Sequence, residues 1–147
     1  MKARSAIQLL MFVWVCLGTC FAHHVAVIVN KGNGVENVTS GQLSGIVRGE
    51  VKKWPDGGNI TLVLHKEWAG ETATLEHLNK MTIAEWKSFL ALRKSSIVFV
   101  ETDADVIKAV QADPGAVGLI EVPSIDNSIH VVRVDGKLPM EFGYLPH

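Results

Sequence analysis

The chain has 147 residues, with 14 Lys plus Arg, 15 Asp plus Glu and a formal net charge of −1. Hydrophobic residues make up 48% and charged residues 20%, which is typical of a globular domain rather than of a disordered or fibrous chain. The length fits one domain and excludes a repeat array or a multi-span membrane protein. The near-neutral charge gives no bulk attraction to nucleic acid, so no nucleic-acid partner is expected.

The first 22 residues have the layout of a secretory signal peptide. Two basic residues precede an apolar run from Ile7 to Leu17, and small residues stand three and one before a cut after Ala22. The run is about half the roughly 20 residues that a membrane-spanning helix needs. We therefore expect cleavage near Ala22, leaving residues 23–147 as one periplasmic or secreted domain. A lipoprotein modified at Cys20 and an uncleaved anchor are the alternatives.

Apolar runs and capping signals then predict alternating strands and helices. The run from Val25 to Val29 predicts a strand that is buried on both faces. Thr39, followed three residues later by Gln42, forms a capping box for a helix that stops at Gly49. A second strand is expected from Ile60 to Leu64, followed by a polar loop and a helix that begins near residue 70 or 71.

The second half continues the alternation. Thr82 opens a helix, and residues 97–100 (IVFV) predict a third strand. Thr102 caps a short helix whose first-turn acids, Asp103 and Asp105, are interpreted as charges that favour a helix N-terminus. Two more strands are expected over residues 116–122 and 129–134. The pattern predicts an α/β domain with a mixed, largely parallel sheet flanked by helices.

Three stretches carry a more specific pattern. The first joins VAVIVN at residues 25–30 to LSGIVRG at 43–49 and KWPDGG at 53–58. The second is ITLVL at 60–64 with its polar loop, and the third joins VIKAV at 106–110 to PGAVG at 114–118. In this order they resemble the phosphate-binding-protein branch of the type 2 periplasmic solute-binding proteins. The resemblance implies a PBP-like α/β fold and non-catalytic binding of a phosphate-like oxyanion for an ABC transporter.

The resemblance covers only part of a receptor. Receptors of that family have two lobes that close on the ligand, whereas residues 23–147 amount to about one lobe. Half of the ligand contacts would then be missing or would come from a partner. Such a partner would be a membrane transporter, a sensor or a second copy of the chain that rebuilds the cleft.

The resemblance also places the ligand in the loop after ITLVL. There the family uses an Arg followed by Ser-Gly-Thr at a helix start, and this chain has Lys66 at the Arg position and Gly70, Glu71 and Thr72 in place of Ser-Gly-Thr. A shift by one residue would put His65 at the Arg position instead. We expect Lys66 to supply charge, while the backbone of residues 70–72 and the Thr72 hydroxyl donate hydrogen bonds to an anion.

Two features of this loop favour a different function. Glu67 and Glu71 add negative charge that repels an anion, and Lys66 lacks the planar fork of a guanidinium. The alternative is a protein-interaction module that no longer binds the anion. In that case Trp68 is the natural hot-spot residue.

The expected amino terminus offers a third hypothesis. Cleavage after Ala22 would expose His23 and His24, and an amine beside an imidazole suits Cu(II). A periplasmic copper binder is therefore a further alternative, although no other metal-ligating motif supports it. No Gly-x-Ser-x-Gly nucleophile motif is present, and we expect neither catalysis nor a cofactor.

Overall fold

The computed structural model describes residues 24–146. The expected signal peptide, both cysteines and His23 lie outside the described residues. Within residues 24–146 the chain forms seven strands and four α-helices. They are β1 (Val25–Asn30), β2 (Asn37–Val38), α1 (Ser40–Arg48), β3 (Thr61–His65), α2 (Ala69–Asn79), α3 (Ile83–Arg93), β4 (Ile97–Val100), α4 (Asp103–Ala112), β5 (Ala116–Glu121), β6 (Ile129–Val131) and β7 (Arg133–Val134).

Five strands form the main sheet, in the order β4-β3-β5-β1-β6. The strand β3 is parallel to both β4 and β5, with Val63 opposite Val98 on one side and Gly118 on the other. The strand β1 is antiparallel to both β5 and β6. The expected α/β class with a mixed sheet is therefore confirmed. The three parallel strands end at one edge, which we call the carboxyl edge.

Helices cover both faces of this sheet, which explains the unbroken apolar run in β1. Residues Val25 to Val29 are each 3% exposed or less. One face carries a core cluster shared with α1, α2 and α3, and the other carries a cluster shared with α4. A strand buried on both faces cannot alternate apolar and polar residues.

The helix ends follow the local signals in the sequence. Thr39 and Thr82 each form a complete capping box, and the Thr102 side chain accepts from the backbone N–H of Asp105. Gly49 ends α1 in the left-handed conformation with φ 74°, where a side chain would be strained. These predictions are confirmed.

Three boundaries differ from the prediction. The strand β3 extends to His65, and α2 begins at Ala69. The strand expected over residues 129–134 is broken at Val132, whose N–H donates to the carbonyl of Val27 at 2.9 Å. Beyond that point β7 leaves the main sheet and pairs in parallel with β2. The apolar pattern does not record this change of partner.

Trp54 joins two loops beneath the sheet. Its side chain is 5% exposed, and its indole Nε1–H donates to the carbonyl of Gly115 at 3.0 Å. A buried indole N–H needs such a partner. Trp54 therefore has a packing role in the core.

The C-terminal segment is attached to the sheet by one buried side chain. The hydroxyl of Tyr144 accepts from the backbone N–H of Val27 at 3.0 Å and donates to the carbonyl of Val132 at 2.7 Å. Burial raises the pKa of Tyr144 to about 12, so the hydroxyl stays protonated and can donate at physiological pH. No helix within residues 24–146 is long and apolar enough to cross a membrane.

Replacing Tyr144 with Phe should therefore lower the free energy of unfolding by about 1–3 kcal/mol, because a buried N–H and a buried carbonyl lose their partner. The measurement is a urea unfolding curve followed by tryptophan fluorescence. Phe142, which is 99% exposed, supplies the control, and Phe142→Ala should leave the midpoint unchanged. Equal midpoints for Tyr144→Phe and the wild type would contradict the role assigned to the hydroxyl.

Candidate functional site

The predicted ligand loop lies at the carboxyl edge of the sheet. It follows β3 and leads into α2, while the neighbouring strand β4 leads into α4. Because β3 and β4 are parallel and adjacent, the loops that follow them come together. Ligands of α/β sheets bind at this edge.

His65, the last residue of β3, connects the two helices. Its side chain is 4% exposed, and its Nε2 lies 2.9 Å from Oδ1 of Asp103 at the start of α4. On the other side, Nδ1 lies 3.4 Å from Oε1 of Glu71 in the first turn of α2. A ring between two carboxylates satisfies both as the doubly protonated imidazolium, since each nitrogen then donates.

The two carboxylates are also held by backbone donors. Oε2 of Glu71 accepts from the backbone N–H of His65 at 2.8 Å. Oδ2 of Asp103 accepts from the backbone N–H of Glu121 at the end of β5, at 3.0 Å. One network of three side chains therefore joins β3, α2, α4 and β5. We call His65, Glu71 and Asp103 the imidazolium triad.

The pKa values of the two buried members of the triad, His65 and Glu71, are both raised. Burial lowers the pKa of His65, but the hydrogen bond to Glu71 and the charges of Glu71 and Asp103 outweigh it, so the pKa is raised above its usual value. Burial raises the pKa of Glu71, and the contact with His65 opposes that shift only in part. Glu71 is 3% exposed. Its carboxylate thus points inward and pairs with the His65 ring.

Lys66, the expected ligand-binding cation, is paired with an acidic side chain in the structure. Its ammonium group forms an ion pair with the carboxylate of Glu101, the residue after β4, and both side chains are more than half exposed. The Glu101 contact raises the pKa of Lys66. An exposed pair of this kind is weak.

The N-terminus of α2 has no side-chain cap. Trp68 occupies the N-cap position without a capping hydrogen bond, and the N–H groups of residues 69–71 have no partner inside the helix. The indole of Trp68 covers Gly70, where an added Cβ would lie 3.0 Å from the ring, and meets the ring of His65 edge-on at 4.9 Å between centroids. Thr72 is half-buried in the same turn.

The structure thus brings together some, but not all, of the residues predicted to bind the ligand. Lys66, Trp68, Gly70 and Thr72 border the start of α2, whereas Glu71 belongs to the buried triad. Asp103 was missed as a partner of His65, because an acid in a first turn already has a local explanation. The contact could have been predicted from the position of Asp103, because Asp103 follows β4, which is parallel to β3.

The copper hypothesis stays a prediction. His23 lies outside the described residues, and the backbone carbonyl of His24 accepts from the N–H of Val122. Among residues 24–146, no group of three or more His, Cys, Asp or Glu side chains is arranged to hold a metal ion.

The triad makes stability depend on pH. The folded-state pKa values of His65 and Glu71 are both raised, so folding takes up protons. The contribution of His65 is fully present below its unfolded value of about 6.5 and is lost as the pH rises through its folded-state pKa. The free energy of unfolding should fall from pH 6.5 to pH 8.5, by at most about 1.4 kcal/mol per pH unit for one proton.

Urea unfolding at a series of pH values measures this slope. His65→Gln should flatten it, while His77→Gln, at an exposed position on α2, should keep it. A wild-type stability that is constant or rises over this range would refute the protonated triad.

Three known structures that resemble this protein have the same fold. The structure is similar to that of a phosphate ABC transporter substrate-binding protein with bound phosphate from Clostridium perfringens, with 21% identity and a TM-score of 0.65 over 77% of this chain and 45% of that one. It is also similar to an ABC-type phosphate transport receptor from Vibrio cholerae, with 22% identity and a TM-score of 0.59 over 80% of this chain and 48% of that one. The third example is PstS from Borrelia burgdorferi, with 18% identity and a TM-score of 0.63 over 80% of this chain and 49% of that one.

The chain spans about half the length of these proteins, which corresponds to one lobe. At these identities the likeness establishes the fold alone. The family profile described as PBP superfamily domain matches residues 21–141, most of the chain. The protein therefore belongs to the PBP superfamily.

Proposed function

We propose that the protein is an exported, non-catalytic binding protein that holds a phosphate-like oxyanion at the N-terminus of α2, beside Lys66. The observation that carries this proposal is the uncapped first turn of α2 at the carboxyl edge. Its free N–H groups and the positive end of the helix dipole attract an anion. Phosphate binding in structural relatives supports the choice of ligand.

The inward position of Glu71 supports the same proposal. A carboxylate pointing out of this turn would repel an oxyanion. Instead it lies buried against His65, whose positive charge offsets it. The exposed competitor is Glu101, which holds Lys66 when no anion is bound.

The proposed binding is weak in one copy of this domain. The matched region spans about half of each related receptor, and a two-lobed receptor closes on its ligand from both sides. A membrane transporter, a sensor or a second copy of the chain would complete the site. Export rests on the predicted signal peptide, and N-terminal sequencing of the mature protein tests it.

Calorimetric titration with phosphate tests the anion site. Wild-type protein should show saturable heat at millimolar phosphate, and Lys66→Ala should weaken binding by roughly tenfold, because it removes the cation at the helix end. Glu101→Gln should tighten binding roughly fivefold, since it releases Lys66 and removes a repelling charge.

Lys108→Ala, on the far face of the sheet, is the matched control and should bind as the wild type does. The site is refuted if all four proteins give no saturable heat. It is equally refuted if the Lys66 and Glu101 variants bind with wild-type affinity.

A second candidate function uses the same edge as a docking surface. The half-buried Trp68 lies among the exposed side chains of Glu67, Lys66 and Glu101, the arrangement of an aromatic anchor with a charged rim. A partner with basic groups around an apolar pocket fits this surface.

A photo-crosslinking amino acid at Glu67, expressed in a host that exports the protein, tests this candidate. Docking predicts a discrete adduct from position 67 and none from position 108 on the opposite face. Absence of an adduct at position 67 would contradict docking at this edge. No saturable heat with phosphate, together with an adduct at position 67, would favour docking over anion binding.

A further inference from the structure

A second cleft lies at the amino ends of the parallel strands, opposite the carboxyl edge. It has a volume of about 450 Å³ and lies between the end of α1, the start of β3 and the turn before β4. The strand β3 separates it from the triad by roughly 13 Å at the usual rise per residue. We call it the Arg93 cleft. Its lining residues are Ile46, Gly49, Val51, Lys52, Asn59, Ile60, Leu62, Arg93 and Ser96.

The charged side chains that line this cleft are all positive. Arg93 and Lys52 line it, and no carboxylate does. Within residues 24–146 neither cation forms an ion pair with an acid, in contrast to Lys66 with Glu101 and Arg48 with Glu50.

Arg93 is held in a fixed position. Its Nη1–H donates to the carbonyl of Val47, and the guanidinium lies over the ring of Phe89, 5.5 Å from the centroid. The group also packs on Gly49, where an added Cβ would lie 2.5 Å from Nη2. Burial without a neighbouring anion lowers the pKa of Arg93. Besides the N–H that bonds Val47, the guanidinium has further N–H donors in the planar arrangement that suits a carboxylate.

The floor of the cleft is apolar. Ile46, Val51, Ile60 and Leu62 supply it, and the remaining lining includes the polar side chains of Asn59 and Ser96 and the two cations. Small-molecule sites combine such an apolar wall with a few placed polar groups, and their volumes begin at roughly 300 Å³. A free inorganic anion would leave the apolar wall unused.

We propose that the Arg93 cleft binds a small organic carboxylate with an aliphatic body, the carboxylate on Arg93 and Lys52 and the hydrocarbon on the apolar floor. This site is independent of the oxyanion site proposed at α2. The ligand needs one planar anionic group and a short chain of methylenes.

The test is an NMR titration of the ¹⁵N-labelled protein with hexanoate, compared with hexylammonium and phosphate at equal ionic strength. Hexanoate should shift the amide signals of Gly49, Lys52 and Ser96 saturably, with a Kd in the low millimolar range for a ligand of this size. Hexylammonium has the same hydrocarbon and the wrong charge, and phosphate has charge without hydrocarbon. Neither should saturate these signals.

Variants locate the site. Lys52→Gln changes an exposed side chain that has no ion pair among residues 24–146, so the fold is preserved, and it should weaken hexanoate binding at least threefold. Arg93→Lys keeps the charge but loses the fork and should weaken it further. Lys108→Gln should have no effect.

Several results would overturn the proposal. They are absence of saturable shifts with hexanoate, equal binding of hexylammonium, or unchanged hexanoate affinity in Lys52→Gln and Arg93→Lys. Lys66→Ala should leave hexanoate binding intact, so failure of the oxyanion site and failure of the Arg93 cleft are distinguishable.

Discussion

The carboxyl edge of this sheet depends on one buried ring. His65 ends β3, and its imidazolium lies between Glu71 of α2 and Asp103 of α4. Each carboxylate also accepts a backbone N–H, from His65 itself and from Glu121 of β5. The two carboxylates, on opposite sides of the ring, repel each other, and a positive charge between them offsets that repulsion. The ring therefore ties the first turns of both helices to the end of β3.

That constraint determines what the candidate site offers a ligand. With Glu71 turned inward, the first turn of α2 presents backbone N–H groups in place of a carboxylate. Trp68 at the N-cap supplies no capping oxygen, and Lys66 is held only by the exposed Glu101. The site has the donors that an oxyanion needs and one acid that competes for its cation. The two proposed ligands, an oxyanion and a basic protein partner, depend on the charges at this edge.

The sequence predicted the parts of the fold that local physics controls. Both capping boxes, the left-handed stop at Gly49 and the buried strand β1 follow from near neighbours in the chain. The resemblance led to the correct family. It did not lead to the direction of Glu71, because an acid in a first helical turn is stable whether it points outward or inward. The contacts of Asp103 with His65 and of Arg93 with the end of α1 join residues 38 and 46 positions apart. They arise from sheet order and helix packing, which one-dimensional patterns do not encode.

The protonation state of His65 at neutral pH tests this account most directly. Long-range ¹H–¹⁵N correlation spectra of the imidazole distinguish a doubly protonated ring from either neutral tautomer. The account predicts that Nδ1 and Nε2 of His65 both carry a proton at pH 7. A neutral His65 ring with one unprotonated nitrogen at pH 7 would contradict the account, because Glu71 and Asp103 would then lack their shared cation.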